Sequence, residues 1–217
     1  MNDDDNFLAN ALRRHLAGLV TPEVIRAIEG GASGSDLWRS LDESGFADAM
    51  LAESAGGAGI DLAQAFPLIA LAGEFCVPLP FAETIMARGM LAAQGATVPA
   101  GAAIVLAPLS AVIPGGRFAR HALVDRAGVP TLVTATAAGE DIFGTGGATV
   151  IEQGDTLAVL APAPDAVLLA AAAVAAGLMA GAMARVLEMS LRYASERQQF
   201  GRSLGKLQAI QQQLPAP

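Results

Sequence analysis

The sequence predicts an α+β chain: an N-terminal helical domain, a small antiparallel β domain, and the start of a C-terminal helical bundle. Three observations predict it. Over residues 1–97 apolar residues recur at helical spacing. Over 98–165 short β-prone runs alternate with Gly- and Pro-rich breaks. Over 166–217 the pattern is helical again, and it opens with nineteen uncharged residues, 166–184. The order is α, then β, then α, with no internal repeat.

Each element has a local cause. Residues 3–20 form an amphipathic helix, with Phe7, Leu8, Ala11, Leu12, His15, Leu16 and Leu19 recurring at helical spacing. Thr21-Pro22 starts the next helix, Thr21 as N-cap and Pro22 at the first helical position. Gly30-Gly31 stops it. Ser35 or Asp36 caps a third helix that carries Leu37, Trp38 and Leu41 and ends at Gly45. After the flexible turn at 55–59, Asp61 opens a helix running to about Val77. Pro78-Leu79-Pro80 forces an extended break, and residues 82–94 are helical up to Gly95. The β runs are Ala103–Leu106, Ala122–Val124, Thr131–Thr134, Thr149–Ile151 and Leu157–Leu160. In the last segment Arg185, Glu188 and Arg192 share a helix face, and Arg192–Glu196 forms a further i,i+4 pair.

Composition excludes several functions. The 217 residues carry a net charge of −8, which argues against nonspecific nucleic-acid binding. The charge is uneven: 166–217 holds five basic and two acidic residues. The single cysteine, Cys76, allows no internal disulfide and sits in apolar surroundings that suggest a buried, inert thiol. The acidic start, Met1 to Asp5, lacks the order of a signal peptide, so a cytoplasmic location is expected. The run 166–184, with its Gly177/Gly181 pair, is long enough for a membrane span. Its alanine content and polar continuation favour a buried core helix.

Chemistry-bearing motifs are few. Gly144 to Gly147 reads as a hairpin turn, because no Gly-Lys-Ser/Thr and no helix follow. His15 and His121 lack metal-ligand spacing with Cys76 or paired carboxylates. Glu29, Glu53, Glu74 and Glu83 are scattered and read as surface residues. The tail stands apart. Tyr193 and Arg197 share a helical face, Gly201 permits a tight turn, and a second helix carries Gln208. Arg197 offers a planar fork suited to a pyrophosphate. Gln199 and Gln208 can bond nucleotide groups, and Phe200 offers a flat apolar surface. A solvated helix–turn–helix is the other reading of the same residues.

Tyr193-Ala-Ser-Glu-Arg-Gln-Gln-Phe-Gly-Arg-Ser-Leu-Gly-Lys-Leu-Gln208 resembles the acyl-CoA dehydrogenase pattern Tyr-x-x-x-Arg-x-x-Phe-Gly-[Lys/Arg]-x-[Leu/Ile]-x-x-x-Gln, which fixes seven positions. Leu37 to Gly45 and Glu53 to Ile60 are similar to two N-terminal stretches of that family, with Ala52 where a Pro is usual. Pro80 to Thr84 is similar to its divergent bacterial members. The resemblance implies FAD as cofactor, an acyl-CoA substrate, α,β-dehydrogenation, and assembly with the same chain or a homologue. It implies that Arg197, Gln199 and Gln208 approach FAD, with Phe200 shaping the turn. The family's flavin-ring stretches, Thr-Glu-Pro…Gly-Ser-Asp and Trp-Ile-Ser/Thr, have no counterpart here, and the only tryptophan is Trp38. No residue matches the catalytic base, which the family places in its closing bundle. The chain is therefore expected to be inactive alone and to need another chain. A noncatalytic scaffold and a truncated family member are the competing expectations. Neither a membrane nor a nucleic acid is an expected partner.

Overall fold

A computed structural model describes residues 3–108, 112–140, 148–199 and 201–212. Five helices come first: α1 (Asp3–Leu19), α2 (Pro22–Glu29), α3 (Ser35–Glu43), α4 (Leu62–Glu74) and α5 (Phe81–Ala93). Strands β1 (Ile104–Ala107), β2 (Val112–Pro114), β3 (His121–Asp125), β4 (Pro130–Glu140) and β5 (Ala148–Val159) follow. The long helix α6 (Ala166–Glu196), a two-strand hairpin β6 (Gln198–Gln199) and β7 (Arg202–Ser203), and the short helix α7 (Gln208–Gln211) complete the chain.

Local chemistry explains the helix ends. The Thr21 hydroxyl accepts the Val24 N–H at 3.4 Å, with Pro22 in the first turn. Asp61 and Gln64 form a reciprocal capping box on α4, their bonds 2.9 and 3.0 Å long. The cap of α3 differs from expectation. Gly34 is its N-cap, and Ser35 lies inside the helix, its N–H taken by the Ser33 hydroxyl. Cys76 is also corrected: it is exposed, at φ 50°. The Val77 N–H reaches Ala72 O and the Cys76 N–H reaches Gly73 O, so α4 ends in a Schellman turn. Such a turn places its left-handed residue on the outside, whatever the polarity of its neighbours.

The sheet order is β1-β3-β4-β5-β2. Three pairings are antiparallel, while β1 and β3 run parallel, Ile104 opposite His121. The runs Thr149–Ile151 and Leu157–Leu160 belong to one strand, β5. Register shifts against β4 absorb the residues between them, and the Asp155 N–H bonds the Thr134 hydroxyl at 2.8 Å. Only three residues long, β2 gives no run to read. The Gly144–Gly147 turn lies outside the described residues.

Strand alternation sends β1 residues to two cores. Ile104 and Leu106 join the main core with Leu12, Leu41, Ile69 and Phe81. Val105 and Ala107 pack on the other side with Val124 and Val133. The main core draws on the N-terminal helices, the sheet and α6 together.

Helix α6 is not the buried core helix the sequence suggests. One stripe is covered: Val167, Ala170, Val174, Gly177 and Gly181. The other face leaves Leu169, Met183, Val186, Met189 and Tyr193 more than half exposed. The small residues explain the covered stripe. A Cβ added at Gly181 would collide with Ala70 O, and one at Gly73 with the Leu178 carbonyl, so α4 and α6 touch backbone to backbone. Among the described helices, α6 alone has the length and apolarity to cross a membrane.

Candidate functional site

The tail turn grows from the end of α6. Arg197 is the C-cap, its N–H bonded to Tyr193 O at 2.9 Å. Its carbonyl accepts the Leu204 N–H at 2.8 Å, which closes the hairpin in which Gln199 pairs with Arg202. Gly201 supplies the left-handed residue, φ 74°, that the tight reversal needs. Gly205 then lets the following turn approach the carbonyl of Ala194 on α6. Gln208 begins α7.

Arg197, Gln199 and Gln208 are all exposed, on the hairpin and the helix after it. None of the three side chains hydrogen-bonds another described residue. Phe200 lies outside the described residues. The expected Arg192–Glu196 pair is replaced: Arg192 turns back to Glu188 at 2.6 Å, and Arg185 meets the other oxygen of Glu188 at 2.7 Å. These cations pull the Glu188 carboxyl below its ordinary range. Glu188 thus offsets one of those two charges, and Arg197 has no described ion-pair partner in the chain.

Among the other carboxylates, sequence reasoning missed Glu83. Glu29 and Glu53 are exposed as expected. Glu74 forms a two-pronged ion pair with Arg13, one contact at 2.8 Å. Glu83 is partly buried at the third position of α5. Burial pushes its carboxyl up to about 7, against a hydrogen bond from its own amide. The adjacent Thr84 hydroxyl donates to Pro80 O at 2.6 Å and accepts the Ile104 N–H at 3.0 Å. That double contact locks the first turn of α5, which carries Glu83, to β1. The readable signal was Pro80-Phe-Ala-Glu-Thr84, an acid flanked by core residues in a helix's first turn.

Trp38 is held in α3, its indole N–H donating to Gly101 O at 2.9 Å. It borders a cleft of about 800 Å³ that also takes in Ser33, Arg117, Arg120 and His121. Burial and the Arg120 charge lower the His121 pKa.

Residues 166–215 match the family described as acyl-CoA dehydrogenase, C-terminal domain. Acyl-CoA dehydrogenase IpdE2 of Mycolicibacterium smegmatis is 31% identical over 222 residues, spanning 94% of this chain and 70% of that protein. This chain belongs to the acyl-CoA dehydrogenase family. Among solved structures of the family, a variant of the Tcur3481–Tcur3483 steroid ACAD superposes with a TM-score of 0.81 at 26% identity, over 98% of this chain and 72% of that one. The ChsE4–ChsE5 complex of Mycobacterium tuberculosis shares the fold, with a TM-score of 0.75 at 20% identity, over 99% and 72%. Acyl-CoA dehydrogenases are oxidoreductases, and the α–β–α order described above is the one its relatives share.

Proposed function

We propose that this chain is a subunit of a FAD-dependent acyl-CoA dehydrogenase. It contributes Arg197, Gln199 and Gln208 to a flavin site shared with another chain, and that chain supplies the catalytic base. The observation that carries the reading is the tail hairpin: three outward donors with no described partner in their own chain, at the end of a helix whose apolar face is uncovered. The donor set fits FAD. Arg197 would hold pyrophosphate oxygens as a bidentate fork, and the glutamine amides would bond the nucleotide and the flavin edge. Bound FAD supplies the acceptor for the hydride that leaves the acyl β-carbon. This chain's own residues bind and orient, and none is assigned to take the α-proton.

The exposed face of α6 favours assembly. Leu169, Met183, Val186 and Met189 form an apolar surface too long to be an accident of one residue. The occupant we propose is a family homologue, in the cytoplasm, with an acyl-CoA as substrate and neither membrane nor nucleic acid as partner. A second reading, a noncatalytic scaffold, is favoured by one observation. The only tryptophan is tied to Gly101 beside the N-terminal helices, so no tryptophan is available for the flavin ring.

Co-expression with its genomic neighbours tests the proposal. The expected result is co-purification with a full-length homologue and yellow flavin absorbance, and Arg197→Ala should lower the flavin content severalfold. Flavin content unchanged in that variant would remove Arg197 from the site. A colourless complex with the homologue would favour the scaffold.

A further inference from the structure

Two cavities share a wall in which Glu83 is the one charged side chain. One, of about 330 Å³, lies between β2 and α6 and is lined by Leu106, Ile113, Val174 and Leu178. The other, of about 310 Å³, continues toward the end of α2 past Ile28, Ala72 and Leu79. Glu83, Pro114 and Leu178 line both. The α6 residues at the first cavity are small or branched, Ala171, Val174 and Ala175, and leave room. The charged groups at the two linings are Glu83, Glu29 and Arg117. Arg117 is already engaged: it donates to Ile28 O and lies 4.4 Å over the Phe118 ring. Neither β2 nor α6 presents a charge to Glu83 there.

A polar group among apolar walls is costly unless it hydrogen-bonds. Ligand pockets commonly have this makeup, apolar walls with a few placed polar groups that fix orientation. Thr84 pins the backbone of the turn that carries Glu83. We propose that the Glu83 carboxyl is the hydrogen-bonding partner of an oxygen on an otherwise apolar ligand filling these cavities, and so selects acyl groups that carry a carbonyl or hydroxyl away from the thioester. The assignment of that ligand to an acyl group rests on the acyl-CoA reading above. Burial keeps the carboxyl protonated up to about pH 7, which makes it a donor to a carbonyl.

Acetophenone and ethylbenzene, two small probes differing by a carbonyl, test this without CoA or flavin. Binding is read by NMR titration of the methyl resonances of Leu106 and Val174, in the wild type, Glu83→Gln and Glu83→Leu. At pH 5.5, Glu83→Leu should weaken acetophenone on the order of tenfold while leaving ethylbenzene unchanged or tighter. Raising the pH to 8.5 should weaken acetophenone in the wild type and not in Glu83→Gln. Equal acetophenone affinity in wild type and Glu83→Leu overturns the proposal. So does a pH effect that persists in Glu83→Gln, because the titrating group would then not be the Glu83 carboxyl. Flavin content reports separately on the acyl-CoA reading. A protein that discriminates the ketone but holds no flavin with any homologue keeps the Glu83 role and loses that reading. A yellow complex that ignores the ketone does the reverse.

Discussion

Arg88 shows how one side chain joins distant parts of this chain. It is 1% exposed, with Nη1 on Asp48 at 2.8 Å and Nη2 on Asp42 at 2.7 Å and on Ala102 O at 3.2 Å. Those partners tie α3, the turn after it and the approach to β1 onto α5. Removing one member of a buried ion group strands the others, at a cost of about 3–5 kcal/mol. Arg88→Met should therefore lower the melting temperature strongly. Adding Asp42→Asn and Asp48→Asn should recover part of the loss, and a triple variant no better than the single one would argue against ion pairing as the cause. Glu83 acts in the opposite direction. Its folded pKa of about 7 lies above the ordinary 4.5, so the folded state holds the proton longer than the unfolded chain. Stability is then full below about 4.5 and declines as pH rises through about 7, by about 3 kcal/mol. Thermal melts of the wild type between pH 4.5 and 8.5 should show that decline. Glu83→Gln should flatten it, with its advantage greatest at the alkaline end. Parallel pH profiles for the two proteins would mean that the carboxyl is not held protonated.

At the scale of elements, the α4–α6 contact joins the N-terminal helices to the long helix. Gly73 and Gly181 bring the two backbones together. Gly181→Ala adds one methyl where the Ala70 carbonyl already stands, so the helices must part. A loss of roughly 2 kcal/mol or more is expected from such overpacking. Gly18→Ala is the control, since a Cβ there meets open space. It should be neutral or slightly stabilising through helix propensity. Equal effects of the two substitutions, by chemical denaturation, would show that the close approach is not a constraint. The tail hairpin is a second such element. It is built from the backbone bonds of Arg197 and Leu204 and the left-handed Gly201, which leaves the side chains of Arg197 and Gln199 outside.

For the whole molecule, the charge and apolar surfaces divide along the chain. The N-terminal helices carry most of the acid, while the tail is basic and α6 is apolar on its open face. A single subunit that leaves Leu169, Met179, Met183 and Val186 in water should self-associate or seek a partner. Met183→Lys with Val186→Glu should yield a soluble subunit that no longer co-purifies with a homologue, read by size-exclusion chromatography and pull-down. If the double variant still pairs, the interface lies elsewhere.

The order of elements, the Thr21-Pro22 and Asp61 starts, the Gly201 turn and the tail pattern were all legible in the sequence, because each depends on neighbours a few residues apart. Arg197, Gln199 and Gln208 stood out in the sequence through the tail's resemblance to the family pattern. Tertiary structure decided the rest. The parallel β1–β3 pairing and the fusion of two runs into β5 arise from partners far away in the chain. So do the exposed face of α6 and the setting of Glu83. Local sequence sets backbone angles and helix faces, but which face meets water is settled by what packs against it. Glu83 read as a surface acid until β2 and α6 closed around it, and Cys76 read as a core thiol until the Schellman turn carried it outside.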